Sequence, residues 1–514
     1  MRALWAMGMA LAVAGCGGGG GGGGGIALPL LAPPPASQGN TQAHPDIVPV
    51  SSVAGRCVSP RTRGGYADRP GTLTDEKRWV RSWIDETYLW YDEVPGLRAA
   101  DYATPVAYFD VLRTSAVTAS GRPKDRFHFT YDTAAYEVLT QSGAPPGYGI
   151  TFAFVRSVPP RDVRVAYVED GSPAAAAGVT RGMQLVGVDG LDAAGTDDVE
   201  GLNAGLAPAG TGEQHVLQFR DLDDNLRDFR LTSAQVGSRA VQNVRTLPAA
   251  GGPVGYMQFN AHQPQAEAQL MDAIEHFKRD AVTDLVVDMR YNGGGLLGIA
   301  SELAYMIAPA NATRGQTFER LQFNRKNPFN LTEAQASMAF FSTAGYGERS
   351  GRPLPQLGLP RVTVLTGPDT CSASEALVNG LRGVGVQVDL VGGTTCGKPY
   401  GYLPTDNCGT TYFAIQFQGV NARGFGDYAD GFAPTCAVPD DFSQALGDPA
   451  EGRLAAALYL RENGQCPSAT LARASASAQA AAGGAAMPEE PLLRRSPVLE
   501  NRVLDLRELQ REQP

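Results

Sequence analysis

The chain has 514 residues, 43% of them apolar and 19% charged, with a formal net charge of −10. That length leaves room for about three domains, and the acidic balance excludes a nucleic-acid partner, which would call for a basic surface. After the first sixteen residues no stretch is long and apolar enough to cross a bilayer.

The opening MRALWAMGMALAVAGC joins a basic start at Arg2 to an apolar run and small residues before Cys16, the pattern of an export signal over residues 1–16. Val13-Ala14-Gly15-Cys16 resembles the bacterial lipobox, which implies that Cys16 is diacylated and becomes the mature N-terminus. Gly17 in place of an aspartate implies no inner-membrane retention, so anchoring by lipid to the outer membrane, on its periplasmic side, is expected. Residues 17–50, beginning with Gly17–Gly25, predict a flexible tether with too little apolar surface to offset the entropy of ordering it. Residues 467–514 read as a low-complexity tail, within which LENRVLDLRELQ has the spacing of one short amphipathic helix with no assigned role.

Beyond Cys16 the cysteines are Cys57, Cys371, Cys396, Cys408, Cys436 and Cys466. An even number in an exported chain predicts disulfides and leaves their pairing open. Cys396 with Cys408 is the preferred pair, because both flank a predicted hairpin. No CxxC spacing or histidine cluster accompanies them, so no metal site is expected.

Residues 76–142 predict a helical module, in which Trp79, Trp83, Ile84, Tyr88 and Trp90 recur near helical spacing as its core. DRFHF, residues 125–129, closes it. Residues 146–235 change to short alternating strands with glycine turns. There the sequence resembles a PDZ domain: Gly147-Tyr148-Gly149-Ile150 matches the carboxylate-binding loop, and GSPAAAAGVTRGMQLVGVDG the following helix, turn and strand. Such a loop holds a chain terminus while the peptide adds as a strand to the open edge. Residues 240–466 alternate strand and helix, with GYMQFN, DLVVDM, RVTVL and VQVDLVG as strands, and ligand loops are expected at their carboxyl ends.

Three loops in this last segment can carry chemistry. Asn292-Gly293-Gly294-Gly295-Leu296-Leu297-Gly298 satisfies the GxGxxG nucleotide fingerprint, but no acid closes the next strand, and glycines equally let backbone N–H groups approach an oxyanion. Cys371-Ser372-Ala373-Ser374-Glu375 is a capping box with Ser372 at its head, in a place that also suits a nucleophile. Gly397-Lys398-Pro399-Tyr400 follows a strand, and a lysine acting there as a base must be discharged, at a cost of roughly 4 kcal/mol.

Taken in order, the export signal, helical module, PDZ-like region, DMRYNGGG, TCSASE and Gly-Lys resemble the carboxyl-terminal processing peptidases, or tail-specific proteases, over residues 76–440. The resemblance implies that Ser372 is the nucleophile and Lys398 its general base, with Gly294 and Ala373 as oxyanion donors and no cofactor. It also implies an α+β multidomain fold, with an N-terminal helical module, a PDZ-like β-rich domain and an α/β protease core of the ClpP/crotonase-like type. Two positions depart from the family pattern: Tyr402 stands where many members carry glutamine, and Gly293 where proline is usual. A related group, the tricorn-type core, uses histidine as base, and His128 occupies the comparable place; His262, after a core strand, is placed to line the cleft. The expected activity is a lipid-anchored periplasmic serine endopeptidase acting on protein or peptide chains. A noncatalytic envelope scaffold with the same PDZ-like groove, and a tricorn-like Ser-His peptidase, are the alternatives.

Overall fold

The computed structural model describes residues 44–142, 146–468, 508–509 and 511–512. The export signal, Cys16 and residues 17–43 of the tether lie outside the described residues, as does most of the tail. Among the described residues no helix is long and apolar enough to cross a membrane.

In the N-terminal module, Thr72 heads the helix Leu73–Thr87. Its Oγ1 accepts from Asp75 N–H at 3.1 Å, and the Asp75 carboxylate accepts from Thr72 N–H at 2.9 Å, so two first-turn donors are satisfied. Trp79, Val80, Trp83 and Ile84 share the buried face that the periodicity predicts. The strand Phe129–Asp132 then pairs antiparallel with Thr410–Phe413. That pairing brings Tyr400, Tyr402, Tyr412, Phe413 and Ile415 into the same aromatic core as Trp79 and Trp83. Residues 400–415, assigned by sequence to the 240–466 segment, therefore complete the helical module. Its edge also extends earlier than the predicted tether allows: Asp46 Oδ2 accepts from Ala99 N–H at 2.9 Å, and Val53 enters the core.

Residues 146–235 form a sheet in the order 226–232, 214–220, 184–188, 162–168, 150–156, with helices Pro173–Ala177 and Val199–Leu206. Ile150–Arg156 is its edge strand, and the two ends of the segment, Pro146–Gly147 and Ala234–Gln235, pair with each other. Gly149 has φ +80°, and a Cβ there would meet Ser172 Cβ at 2.3 Å, so only glycine suits this turn.

The remaining segment is built on a sheet in the order 241–247, 254–259, 284–288, 361–366, 387–392, 436–437, parallel from the second strand onward. Alternation along each strand divides two cores. Met257, Leu285, Val287, Val364 and Leu390 face helices Ala266–Arg279, Leu297–Ile307 and Ala373–Gly383. Tyr256, Val286, Leu365 and Val391 face helix Gly452–Asn463. The strands are buried on both faces, which is why they read as apolar runs without alternation. Part of the predicted low-complexity tail also packs here: Leu509 is buried, and Arg511 pairs with Glu302 at 2.7 Å.

The disulfides are Cys57–Cys408, Cys371–Cys396 and Cys436–Cys466. The expected Cys396–Cys408 pair is not formed. Cys408 lies in the turn between Thr405–Asn407 and Thr410–Phe413, which packs on the N-terminal module beside Cys57, whereas Cys396 lies beside the serine loop.

Candidate active site

Three chain turns at the carboxyl ends of adjacent parallel strands converge on Ser372. The first follows Asp284–Asp288 and carries Asn292–Gly295; the second follows Arg361–Thr366 and leads to Ser372; the third follows Gln387–Gly392 and leads to Lys398. Asn292 ties the first two together, its carbonyl accepting from Cys371 N–H at 3.1 Å and Ser374 Oγ at 3.0 Å. Cys396 N–H donates to Thr370 O at 3.0 Å and ties the third to the second.

Ser372 sits at the N-terminus of helix Ala373–Gly383 with φ 62° and ψ −114°, a left-handed conformation that a non-glycine residue adopts only when its surroundings hold it there. Half of the predicted capping box is in place: Glu375 Oε2 accepts from Ser372 N–H at 3.0 Å. In the other arm Ser372 Oγ faces the Glu375 N–H but makes no full hydrogen bond, and it is buried. The hydroxyl that would cap the helix is therefore available for other use. Ala373 N–H, at the first helical position, has no intrahelical acceptor, and the helix dipole favours an anion beside it.

Glu375 lies beneath both Ser372 and Lys398. Its Oε2 accepts from the amides of Ser372 and of Lys398, the latter at 2.8 Å; its Oε1 accepts from Gly397 N–H at 2.9 Å and Thr395 Oγ1 at 2.5 Å. Burial raises the Glu375 carboxyl above its usual range, against these donors, which lower it. The Lys398 side chain is wholly buried; its Nζ lies 2.5 Å from Tyr402 Oη and 4.7 Å from the centre of the Phe127 ring. Tyr402, which departs from the family pattern, thus reaches the lysine from the side-chain position four residues on.

Gly294 has φ 110°, and a Cβ on it would lie 2.8 Å from Ser372 Cβ and 2.9 Å from Ala373 N. The glycine is what lets this backbone lie over the serine. Its own N–H donates to Asn292 Oδ1 at 2.9 Å. Asn292 Nδ2 donates to Phe259 O at 2.9 Å, which fixes the amide's orientation, so His262 Nδ1 at 3.2 Å from Asn292 Oδ1 must be the donor. Burial pulls the His262 imidazole down to about 3, so the ring is neutral with a bare Nε2. His262 therefore supports the glycine loop from below.

His128 is turned elsewhere. Its Nε2 donates to Phe109 O at 3.0 Å, its ring stacks on Phe109 at 3.8 Å, and its Nδ1 faces Asp125 Oδ2 at 3.4 Å. Both nitrogens face groups of the N-terminal module, and Nε2 is hydrogen-bonded there.

Sequence reasoning missed the charge network behind the glycine loop. Arg290, buried, donates to Glu451 at 2.7 and 2.8 Å, to Asp288 at 2.9 Å and to Asp440 at 2.8 Å. Tyr291 Oη donates to Asp440 at 2.5 Å and accepts from Arg181, in a turn of the 146–235 segment, at 2.8 Å. Burial opposes ionisation of Asp440, but Arg453, Arg290 and Arg181 hold its carboxyl far below the usual range. An arginine directly after an apolar strand, in DMRYN, was the available signal, but two of its partners, Asp440 and Glu451, lie 150 and 161 residues downstream.

This chain matches the family model "Peptidase family S41" over residues 253–415 and "Peptidase S41 N-terminal domain" over 75–130. It is 26% identical over 235 residues to a carboxyl-terminal-processing protease of Picosynechococcus sp. (strain ATCC 27264 / PCC 7002 / PR-6), covering 44% of this chain and 49% of that one. It is 29% identical over 233 residues to the chloroplastic C-terminal processing peptidase of Tetradesmus obliquus, covering 43% and 45% respectively. The alignments thus span about half the length of these relatives. A solved structure from Bacteroides fragilis NCTC 9343, assigned to the S41 proteases, shares the fold with a TM-score of 0.57 at 23% identity, covering 78% of this chain and 99% of that one. Both family models are matched in order along a single chain, so residues 75–130 and 253–415 carry the N-terminal and peptidase domains of the S41 type and are similar to the carboxyl-terminal processing peptidases.

Proposed function

We propose that this protein is a serine endopeptidase that cleaves protein or peptide chains with Ser372 as nucleophile and Lys398 as general base. The observation that carries the reading is the single Glu375 oxygen that accepts from the amides of both residues and so holds the two loops together. Neutral Lys398 Nζ takes the proton of Ser372 Oγ, the oxygen attacks the peptide carbonyl, and the proton passes to the leaving amine. Water then releases the acyl-enzyme by the same base. Ala373 N–H is the first oxyanion donor, favoured by the helix start. Gly294 N–H is the second, and to serve it must leave Asn292 Oδ1 when substrate enters. Such hydrogen bonds commonly tighten only in the substrate complex.

The reading extends to the 146–235 domain, proposed as PDZ-like: its edge strand Ile150–Arg156 and the Gly147–Ile150 turn suit addition of a substrate tail as a further strand. Lipidation at Cys16 and an envelope location on the periplasmic side complete the proposal. Hydrolysis of an unfolded protein tests it, with folding checked for each variant. Loss of activity in Ser372→Ala and Lys398→Ala, with retention in His128→Ala folded like wild type, is the expected result; survival of activity in Ser372→Ala removes the nucleophile.

A further inference from the structure

The bond that distinguishes this site lies beside it. Cys371 immediately precedes Ser372, Cys396 stands two residues before Lys398, and the two cysteines are joined by a disulfide. Neither of the other disulfides has a cysteine so near either residue. The cross-link therefore closes a short ring that runs through the nucleophile's loop, the Glu375 carboxylate and the base's loop.

The base's loop is held on its far side by Phe432, with which Thr395 exchanges hydrogen bonds of 3.2 and 2.7 Å, and by Arg126, which donates to Cys396 O; the disulfide is its covalent tie on the serine side. Gly392, Gly393 and Gly397 bound the loop, and Gly392 and Gly397 have φ 134° and 86°. Its links to the serine loop, apart from the disulfide, include the Cys396 N–H bond to Thr370 O and the bonds to Glu375. Cys396 Sγ also lies 3.4 Å from Glu375 Oε2. In the disulfide that sulfur carries no proton. Once reduced, it becomes an additional donor, or a like charge, beside the oxygen that holds both amides.

We propose that the Cys371–Cys396 disulfide and Glu375 together position Ser372 against Lys398, so that reduction of this one bond switches the peptidase off. The inference rests on the Ser-Lys reading above. The step is a two-electron exchange with a dithiol: the dithiol thiolate attacks Cys396 Sγ, the more exposed of the pair, the S–S bond breaks, and the second thiol completes the transfer. The dithiol leaves as a disulfide, and Cys371 and Cys396 each end as thiols. A disulfide oxidant reverses the exchange. The chemistry matches a protease assembled in a reducing compartment and armed where disulfides form.

The test uses the full chain in detergent: wild type, Ser372→Ala, Cys371→Ser/Cys396→Ser, Cys57→Ser/Cys408→Ser and Glu375→Gln. Each is assayed for hydrolysis, for the rate of serine labelling by a fluorophosphonate, and for thermal unfolding. The Cys371→Ser/Cys396→Ser variant is expected to label about 100-fold more slowly, as a displacement of about 1 Å predicts, with KM changed by less than about threefold. Wild type should lose labelling when alkylation and mass mapping show Cys371 and Cys396 reduced, and regain it on re-oxidation; the Cys57→Ser/Cys408→Ser variant should respond in the same way. Glu375→Gln should also label slowly, because an amide offers one acceptor oxygen where the carboxylate uses two. Wild type that labels at full rate with both cysteines mapped as thiols overturns the proposal, and this arm stands even if the double variant does not fold. Glu375→Gln labelling like wild type removes Glu375 from the device. Hydrolysis that survives Ser372→Ala instead overturns the Ser-Lys reading and the switch with it.

Discussion

Tyr402→Phe isolates the partner that this chain supplies to Lys398, the proposed base. The substitution removes the hydroxyl 2.5 Å from Lys398 Nζ and keeps the ring, which packs 6.0 Å from Phe129 and 5.7 Å from Phe413, centre to centre, in a fully buried position. A buried hydrogen bond to a group that is charged in part of the cycle is worth about 1.5–3 kcal/mol. If that bond orients Nζ toward Ser372, kcat falls about 10- to 150-fold with KM nearly constant. The lost packing is negligible, so the unfolding midpoint should move by no more than about 3 °C. Steady-state hydrolysis of an unfolded protein, read beside fluorophosphonate labelling and thermal unfolding, separates the effects. Tyr402→Gln sharpens the comparison. It should recover part of kcat by presenting a polar group to Nζ, while its smaller side chain leaves a void that lowers stability by about 1–3 kcal/mol. A Phe variant with kcat within threefold of wild type would refute the claim that Tyr402 orients the base.

Gly294→Ala places a methyl group 2.8–3.0 Å from Ser372 Cβ, Ala373 N and Cys371 O at φ 110°, and should cost about 1–3 kcal/mol of stability and at least about 100-fold in kcat. His262 gives a pH signature: burial lowers it to about 3, so between pH 6.5 and about 3 the unfolded chain holds a proton there that the folded chain does not. Stability falls as pH drops through that window, and His262→Gln should reduce the slope of unfolding free energy against pH by about 1.4 kcal/mol per pH unit near pH 5. Asp440→Asn leaves Arg290, Arg181 and Arg453 short of a carboxylate they share, and chemical denaturation should show a loss of about 3 kcal/mol.

The parallel strands of the core and the helix starting at Ala373 were legible in the sequence because their signals are local: apolar runs bounded by glycines, and a serine three residues before a glutamate. The pairing proposed for Ser372 and Lys398 rests on the order of motifs; what the structure adds is that both residues' amides donate to the same Glu375 oxygen, which neither residue's own surroundings in sequence specify. What escaped was carried by partners remote in sequence. Cys57 and Cys408 are 351 residues apart, and Cys396 lost its expected partner because the flanking strand belongs to another module. The capping box, a local signal, was legible, and what the sequence did not show is its geometry: the glutamate's return bond is formed, while at φ 62° the Ser372 hydroxyl makes no full hydrogen bond in the other arm.

That division bears on how the proposed base is held. Lys398 lies at the point where the chain leaves the parallel sheet and enters the aromatic core of the N-terminal module, through Tyr400 and Tyr402. On one side its amide is fixed by Glu375, which belongs to the serine helix; on the other its Nζ is met by Tyr402 and overlain by Phe127, which belong to that aromatic cluster. The lysine is therefore held by two cores at once. A lone base on a loop needs such a double support, because a freely rotating ammonium reaches the solvent and keeps its proton. The N-terminal module accordingly supplies one wall of the proposed active site as well as a neighbouring domain.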